Sequence, residues 1–255
     1  MSDEWKFFMC SMGDHLASIM VDVGISKTIG KTPPTLATVR VTYKQPDDRG
    51  LPTNAEFDAV SALEDQLDAF VKLGRDSYVG RITSQGERTF FIYTKRDESR
   101  WDKFVAQLAE NTGYALGLLV EEDPEHTHYW KYLYPTPDDW QVIQDMDVCE
   151  ALKKNGDDLD AERKIDHWAY FPNAKAAQPF IDWAVKDRFA HDAEYSGTGK
   201  NGEYCVRLHH VGPARQLDVS RHTIALRRKA EEFGGKYDGW ETPVVQVVAA
   251  TPDQS

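Results

Sequence analysis

Residues 78–94 read Tyr78-Val-Gly-Arg-Ile-Thr-Ser-Gln-Gly-Glu-Arg-Thr-Phe-Phe-Ile-Tyr-Thr94, two β-rich runs that are separated by a short polar break. The break contains Gln85-Gly86, and a glycine-containing break between two such runs is typical of a β-hairpin. The stretch therefore predicts antiparallel strands at Tyr78–Thr83 and Thr89–Thr94. This hairpin is the centre of the fold that we predict for the first half of the chain.

The segment before the hairpin supplies a strand and a helix. Thr35–Lys44 alternates apolar and polar residues, which predicts a strand. Thr53 and Glu56 have the spacing of a capping box with Thr53 as N-cap, and apolar residues from Phe57 onward recur at helical spacing. Gly74 is predicted to end this helix.

The segment after the hairpin mirrors the one before it. Asp97–Asn111 predicts an amphipathic helix that is closed by Gly113, and Leu116–Val120 predicts a strand. The order from Thr35 onward is therefore β-α-β-β-α-β. Two further strands are predicted ahead of this core, at Trp5–Cys10 and Leu16–Val23.

The second half repeats the same order after the stiff segment Tyr134-Pro-Thr-Pro-Asp-Asp139. Its predicted elements are a helix at Asp138–Lys154, a strand at Lys164–Phe171, a helix at Ala174–Lys186, strands at His191–Ser196 and Glu203–His209, a helix at Val219–Phe233 and a strand at Thr242–Val248. The predicted fold class is α+β, with two tandem ferredoxin-like (β-α-β-β-α-β) sandwiches that have antiparallel sheets. The predicted domains are 1–134, with the extra N-terminal strands, and 138–250.

Composition and charge limit the classes of function. The 255 residues include 30 Lys and Arg against 42 Asp and Glu, so the formal net charge is −12. Because binding to nucleic-acid phosphates or anionic lipid depends on clustered Lys and Arg, this balance argues against a general DNA or RNA binder and against a membrane-surface protein. An acidic protein is instead attracted to basic partners.

Three features predict a cytoplasmic protein. The first residues, Met1-Ser-Asp-Glu4, lack the positive charge that opens a secretory signal. No apolar run approaches the roughly 20 residues that span a bilayer. Cys10, Cys149 and Cys205 are odd in number and far apart, as is typical of reduced thiols.

The sequence predicts no catalytic group, no metal and no cofactor. Gly197-Thr-Gly-Lys-Asn-Gly202 matches the dinucleotide-binding string but precedes a strand rather than a helix, so a flexible hairpin tip is the better interpretation. His126 and His128 could bind a metal, yet the acids before them favour a solvated connector. Asp166 and His167 are adjacent in a strand and face opposite ways, which excludes an acid–base relay between them. We expect a protein that is not an enzyme.

Two other functions remain open. The first is RNA binding through a sheet face that carries Tyr78, Phe90, Phe91 and Tyr93, although the basic-glycine-aromatic signature of such modules is absent. Nearby positive charge would come from Arg81, Arg88, Lys95 and Arg96. The second is an unrecognised enzyme with a site between the domains.

Two motifs in the second half are shared with a known family. Asn155-Gly-Asp-Asp-Leu-Asp160 precedes a strand that contains Ile165-Asp-His167 and is followed by Phe171. Gly234-Gly-Lys-Tyr-Asp-Gly-Trp-Glu-Thr242 comes later, with Glu241 where the family has a small residue. On these motifs, residues 138–248 resemble the regulator of ribonuclease E activity B (RraB) family. The resemblance implies an acidic ferredoxin-like protein that binds ribonuclease E and lowers its activity.

The first half has its own resemblance. Ser18–Gly24, Gly50-Leu51 and Tyr78-Val-Gly-Arg-Ile-Thr83, followed by Gly86, Arg88 and Tyr93, are similar to an uncharacterised domain that is found fused to RraB-like domains. This resemblance implies no activity.

The predicted function is a non-enzymatic protein-interaction module that regulates a ribonuclease by binding ribonuclease E or another basic protein. Asp157, Asp158 and Asp160 are the candidate partner-binding residues, and a loop solvated by acids is an equally good interpretation of them. The remaining motif residues are predicted to be structural, with a turn at Asp238-Gly239 and a buried Trp240. These motif residues are Asp166, His167, Tyr237, Asp238, Gly239 and Trp240.

Overall fold

Ser2 and residues 4–246 are described by the computed structural model, in which the chain divides into a first unit, Met1–Asp139, and a second unit, Trp140–Ser255. In the described part of the chain, every helix is too short or too polar to cross a membrane.

The first unit contains one antiparallel sheet with the strand order β1-β2-β4-β5-β3-β6. Strands β3 to β6, with their two helices, have the order and connectivity of a ferredoxin-like sandwich, and the β1–β2 hairpin extends the sheet beyond β4. The α+β fold predicted for this half is confirmed. Its elements are β1 (Trp5–Met12), β2 (His15–Asp22), β3 (Thr35–Thr42), α1 (Asn54–Gly74), β4 (Ser77–Ser84), β5 (Glu87–Thr94), α2 (Glu98–Thr112) and β6 (Ala115–Glu122).

The two helices form the first core against one face of this sheet. The stripe on α1 consists of Val60, Leu63, Leu67 and Val71, all of them buried, because residues three and four apart share a helix face. Phe57 was predicted on the same stripe but is 53% exposed, and its neighbour Glu56 takes the buried position one turn before Val60.

The turn between β4 and β5 explains the tight hairpin. Gln85 and Gly86 have φ values of 53° and 77°, and positive φ at both central residues is the requirement of a type I′ turn. The hairpin prediction is confirmed. Thr53 is the N-cap residue of α1 as predicted, but the capping box is wrong, because the Glu56 carboxylate accepts hydrogen bonds from the backbone N–H groups of Lys44 (2.6 Å) and Gln45 (3.1 Å). Thr53 makes no side-chain cap.

Residues 123–134 are not the solvated connector that their charge predicts. Asp123 is buried and accepts a hydrogen bond from the Tyr93 hydroxyl at 2.7 Å. Burial raises the pKa of Asp123, but bonds from Tyr93, Thr127 and His128 outweigh it and lower the pKa to about 2. His126 is also buried, with Nε2 at 2.8 Å from the Thr32 hydroxyl.

The π-helical turn Tyr129–Leu133 continues this segment against the strands. Tyr129 and Leu133 are fully buried, and the Tyr129 hydroxyl donates to the carbonyl of Asp22 at 2.9 Å. The four aromatic residues that were considered for RNA stacking are at most 7% exposed. The alternative of an RNA-stacking sheet face is therefore wrong, because helices α1 and α2 or residues 123–134 cover the rings of Tyr78, Phe90, Phe91 and Tyr93.

The second unit repeats the topology with the strand order β11-β7-β10-β8, and β9 pairs with β10. This order is also that of an antiparallel ferredoxin-like sandwich, so the fold class is confirmed for both halves. The elements are α3 (Pro137–Lys154), β7 (Arg163–Phe171), α4 (Ala174–Lys186), β8 (Ala190–His191), β9 (Gly197–Thr198), β10 (Tyr204–Gly212), α5 (Gln216–Glu232) and β11 (Lys236–Glu241).

Two predicted strands are misplaced. The last strand ends at Glu241, residues 242–245 are not a strand, and Val247–Val248 lie outside the described residues. Pairing of this strand with β7 begins at Lys236, directly after Gly235, which packs so closely on Phe171 that an added Cβ would be 2.3 Å from the ring. The strand predicted at His191–Ser196 is short, since a 3₁₀ turn at Ala193–Tyr195 interrupts it.

We expect the two units to fold independently, because each has its own sheet and its own buried core. The cut belongs between Pro135 and Thr136, since the Thr136 hydroxyl bonds the Asp139 carboxylate at the start of α3. Fragments 1–135 and 136–255 should each give a folded circular dichroism spectrum and one cooperative thermal transition. A fragment that stays unfolded by both measurements would contradict independent folding.

Candidate functional site

A carboxylate that has no cationic partner among the described residues lies buried in the second unit. Asp145 is fully buried and accepts four hydrogen bonds, from Gln141 Nε2 (2.9 Å), Ser220 Oγ (2.8 Å), Thr223 Oγ1 (2.6 Å) and Trp240 Nε1 (2.9 Å). Burial raises the pKa of Asp145, and the four bonds oppose that rise. Asp145 thereby joins α3, α5 and β11.

Sequence reasoning missed Asp145, although the signal was present. Val142, Asp145, Cys149 and Leu152 recur at intervals of three and four residues and are all buried on α3. An acid on an otherwise apolar helical stripe must find donors when it is buried. Those donors come from α5 and β11, which are distant in the sequence.

A groove of about 580 Å³ opens beside this carboxylate, between α3 and the β11 edge of the second sheet. Its walls include the rings of Trp168 and Trp240 and the carboxylates of Asp238 and Glu241. None of the described residues that line it is Lys or Arg. We name this feature the acidic groove.

The Tyr237–Trp240 motif builds one wall of the groove, and it is a bulged strand rather than a turn. The pairing register of β11 with β7 shifts between Tyr237 and Gly239, which leaves Asp238 as the extra residue. Gly239 has a φ of 139°, a conformation that other residues rarely adopt. The bulge keeps Tyr237 and Trp240 buried and leaves Asp238 exposed, so the predicted burial of Trp240 is confirmed.

The sheet face of Asp166 carries a network of ion pairs. Arg207 Nη2 lies 2.8 Å from Asp166, and Lys164 Nζ lies 3.0 Å from both Asp166 and Asp192. Burial alone would raise the pKa of Asp166, but hydrogen bonds from Arg207 and Lys164 hold it below the usual value. His209 Nδ1 is 2.9 Å from Asp192. Side-chain atoms of Asp166, Asp192 and His209 come close enough to share a metal ion, but such an ion would have to displace the Lys164 ammonium.

The opposite face carries a chain of histidines. His167 is buried, with Nδ1 at 2.8 Å from the Tyr237 hydroxyl and Nε2 at 2.9 Å from His210 Nδ1. The His222 ring follows at 4.1 Å from the His210 ring, measured between centroids. Asp166 and His167 thus face opposite sides of the sheet, as strand alternation predicted, and form no relay.

The three acids that were predicted to bind a partner are not one surface cluster. Asp157 is buried and pairs with Arg163 at 2.6 Å, and it also accepts from the backbone N–H of Val245 at 2.8 Å. The prediction that Asp157 binds a partner is therefore wrong, because a buried carboxylate that is already paired inside the protein cannot contact another molecule. Asp158 is half-buried and Asp160 is exposed, and their role in binding stays a prediction.

Each half of the chain matches the model of a known protein family. Residues 3–134, just over half of the chain, match the family of unknown function DUF695. The chain belongs to the DUF695 family. Residues 142–242 of this DUF695 protein match the family "Regulator of ribonuclease activity B". The two-part resemblance predicted from the sequence is confirmed.

Comparison with individual proteins adds little to the family matches. No curated protein matches the chain. An unknown protein from Galdieria sulphuraria is 10% identical with a TM-score of 0.22, over 83% of this chain and 99% of that one. A "putative glycine cleavage system transcriptional repressor" is 6% identical with a TM-score of 0.23, over 82% and 98%. Similarities at these TM-scores support no inference about fold or function.

The buried ion pair and the exposed acid of the same loop should respond very differently to mutation. We expect Asp157→Asn to lower the free energy of unfolding by about 3–5 kcal/mol, because it leaves the Arg163 guanidinium buried without a counter-charge. The control Asp160→Asn should change it by no more than about 0.5 kcal/mol. Urea unfolding of both variants measures the difference, and equal effects would contradict the role of Asp157.

The histidine chain predicts that the protein loses stability as the solution becomes more acidic. Burial lowers the pKa of His167 well below its ordinary value, and it lowers the pKa of His210 to about 4. The unfolded chain therefore binds protons first, so the free energy of unfolding should fall as the pH drops from about 6.5 towards about 4.

Urea unfolding at several pH values tests this dependence with a matched pair of variants. His210→Gln should weaken the pH dependence, because it removes one of the groups that resist protonation. The exposed His15, in the first unit, is the control, and His15→Gln should leave the dependence as it is. A wild-type stability that is flat across this range would refute the prediction.

Proposed function

We propose that this DUF695 protein is a non-catalytic regulator of a ribonuclease and that its second unit binds a basic protein partner in the acidic groove. The observation that carries the proposal is the match of residues 142–242 to the regulator of ribonuclease activity B family. That family points to a protein partner rather than to a reaction. Ribonuclease E is the specific partner that we propose to test first.

The acidic groove supports this proposal by its chemistry. Asp238 and Glu241 are exposed at the groove and meet no cation within its lining. The Trp168 ring lies beside them, with the Arg207 guanidinium 5.3 Å from its centroid, and an Arg or Lys side chain of a partner is likewise attracted to carboxylates and to an aromatic face. A groove of about 580 Å³ accommodates one or two such side chains of a basic segment.

The net charge of the chain favours the same kind of partner. A charge of −12 attracts a basic protein over a distance, which raises the rate of association at low salt. Asp160, which is exposed and lies 3.6 Å from Arg215, would contribute to this attraction outside the groove. We keep Asp158 and Asp160 as proposed secondary contacts.

Binding of the intact chain to ribonuclease E at several salt concentrations tests the proposal. The variant Asp238→Asn/Glu241→Gln should slow association about tenfold at low salt, because it removes both exposed groove charges. The control Glu162→Gln/Glu194→Gln removes two exposed acids that do not line the groove and should associate nearly as the wild type does. Ribonuclease activity is measured in the same mixtures.

Two results would count against the proposal. If the wild-type chain neither binds the ribonuclease nor changes its activity, the proposed function is wrong for this partner. If both double variants associate at the same rate, the regulator uses a surface other than the acidic groove. A further arm, Asp160→Asn, reports separately on the loop.

A further inference from the structure

The first unit contains a strongly basic feature that the proposed function does not use. A hollow of about 830 Å³ lies between the end of α1 and the start of α2, and its walls carry Lys95, Arg96, Arg100 and Lys103. A second hollow of about 550 Å³ adjoins it and carries Lys31, Arg75 and again Lys95. Gly74 and Lys95 belong to both walls. We name the two hollows together the basic cleft.

The charge of the cleft is opposite to that of the chain. Six of the 15 Lys and Arg residues in the first half line it, whereas Asp97 is the one acid among its described lining residues. Charges beyond a Debye length of about 8–10 Å are largely screened at physiological salt. A ligand in the cleft therefore responds to these six cations more than to the net charge of −12.

Most of these cations are not neutralised by the protein. Within the described part of the chain, the side chains of Lys31, Lys95 and Lys103 have no ion-pair partner. Arg100 lies 4.0 Å from Asp97, and both side chains are more than 60% exposed. An ion pair that is this exposed contributes little to stability, so Asp97 neutralises Arg100 only weakly. The lysines are available to an anionic ligand.

Arg96 is held in a fixed position at the floor of the cleft. Its guanidinium lies 3.8 Å from the centroid of the Phe70 ring, donates to the Phe70 carbonyl at 2.8 Å and lies 3.2 Å from Asp76. Gly74 makes room for it, because an added Cβ would be 2.2 Å from the guanidinium carbon.

Aromatic rings complete the floor. Phe70 and Phe104 are stacked with centroids 3.9 Å apart and planes 6° from parallel, and both rings line the larger hollow. Neither residue is fully buried. Arg96 and Phe104 cover the two faces of Phe70, so the outer face of Phe104 is the aromatic surface that this stack offers to a ligand. Cations beside such a ring are the combination that binds single-stranded nucleic acid, where phosphates meet the cations and a base meets the ring.

We propose that the basic cleft binds single-stranded nucleic acid, with phosphates at Lys31, Lys95 and Lys103 and a base against the face of Phe104 that is turned away from Phe70. An acidic peptide would satisfy the lysines but has no use for the aromatic floor, so the rings favour a nucleic acid. The site lies wholly in the first unit and does not depend on the proposed function of the second. It also differs from the sheet-face mode, which the burial of Tyr78 and Phe90 excludes.

Fluorescence anisotropy of the full chain with a labelled single-stranded oligonucleotide of about 12 nucleotides tests the proposal. The variant Lys31→Gln/Lys95→Gln/Lys103→Gln should bind about tenfold or more weakly, and its plot of log K against log salt should be shallower by about 2. The control Lys175→Gln/Lys186→Gln/Lys200→Gln removes the same charge from exposed positions of the second unit and should keep the wild-type slope. Circular dichroism confirms that both variants are folded.

A second comparison tests the aromatic floor. Phe104→Leu keeps an apolar side chain in the cleft but removes the stacking ring, so it should weaken binding of the oligonucleotide without changing the salt slope. A polyglutamate of equal charge should compete poorly. The proposal is overturned if the wild-type chain does not bind the oligonucleotide at low salt, if the two lysine variants behave alike, or if polyglutamate competes as well as the oligonucleotide does.

Discussion

The buried carboxylate of Asp145 is the constraint on which the arrangement of the second unit depends. A carboxylate without a cation is costly in an apolar interior unless donors surround it, and here they come from α3, α5 and β11 together. Each of these elements must therefore hold its place for the others to be satisfied. The same requirement places Trp240 in the wall of the acidic groove.

Both units have one topology but use their polar residues differently. In the first unit, Glu64 bonds Tyr78, Arg81 and Arg88, so two arginines are paired with an acid between a helix and the sheet. Lys31, Lys95 and Lys103 have no ion-pair partner among the described residues, and all three line the basic cleft. In the second unit, the exposed acids at the groove remain unpaired within its lining. The net charge of the whole chain does not show that positive charge lies in the cleft of the first unit and negative charge at the groove of the second. An approaching partner responds to these local charges.

Local patterns were sufficient for much of the fold. Alternation, helical spacing and the Gln85-Gly86 break depend on backbone geometry within a few residues, so they predicted the element order and the hairpin. They failed where a side chain has a distant partner. Glu56 looked like a helix cap and bonds the end of β3 instead, and Asp157 looked like a surface acid and pairs with Arg163 inside the protein.

The sequence by itself determined the two ferredoxin-like units, the family resemblances and the acidic balance, because these follow from short-range periodicity, motif residues and counting. Only the tertiary structure decided which charged side chains are available. Asp145 and Asp157 are buried, whereas Asp238 is exposed by a bulge in β11 and Lys95 and Lys103 line a cleft. The physical reason is that burial and pairing of a charge depend on elements that are remote in the sequence, and a side chain's own neighbours do not report on them.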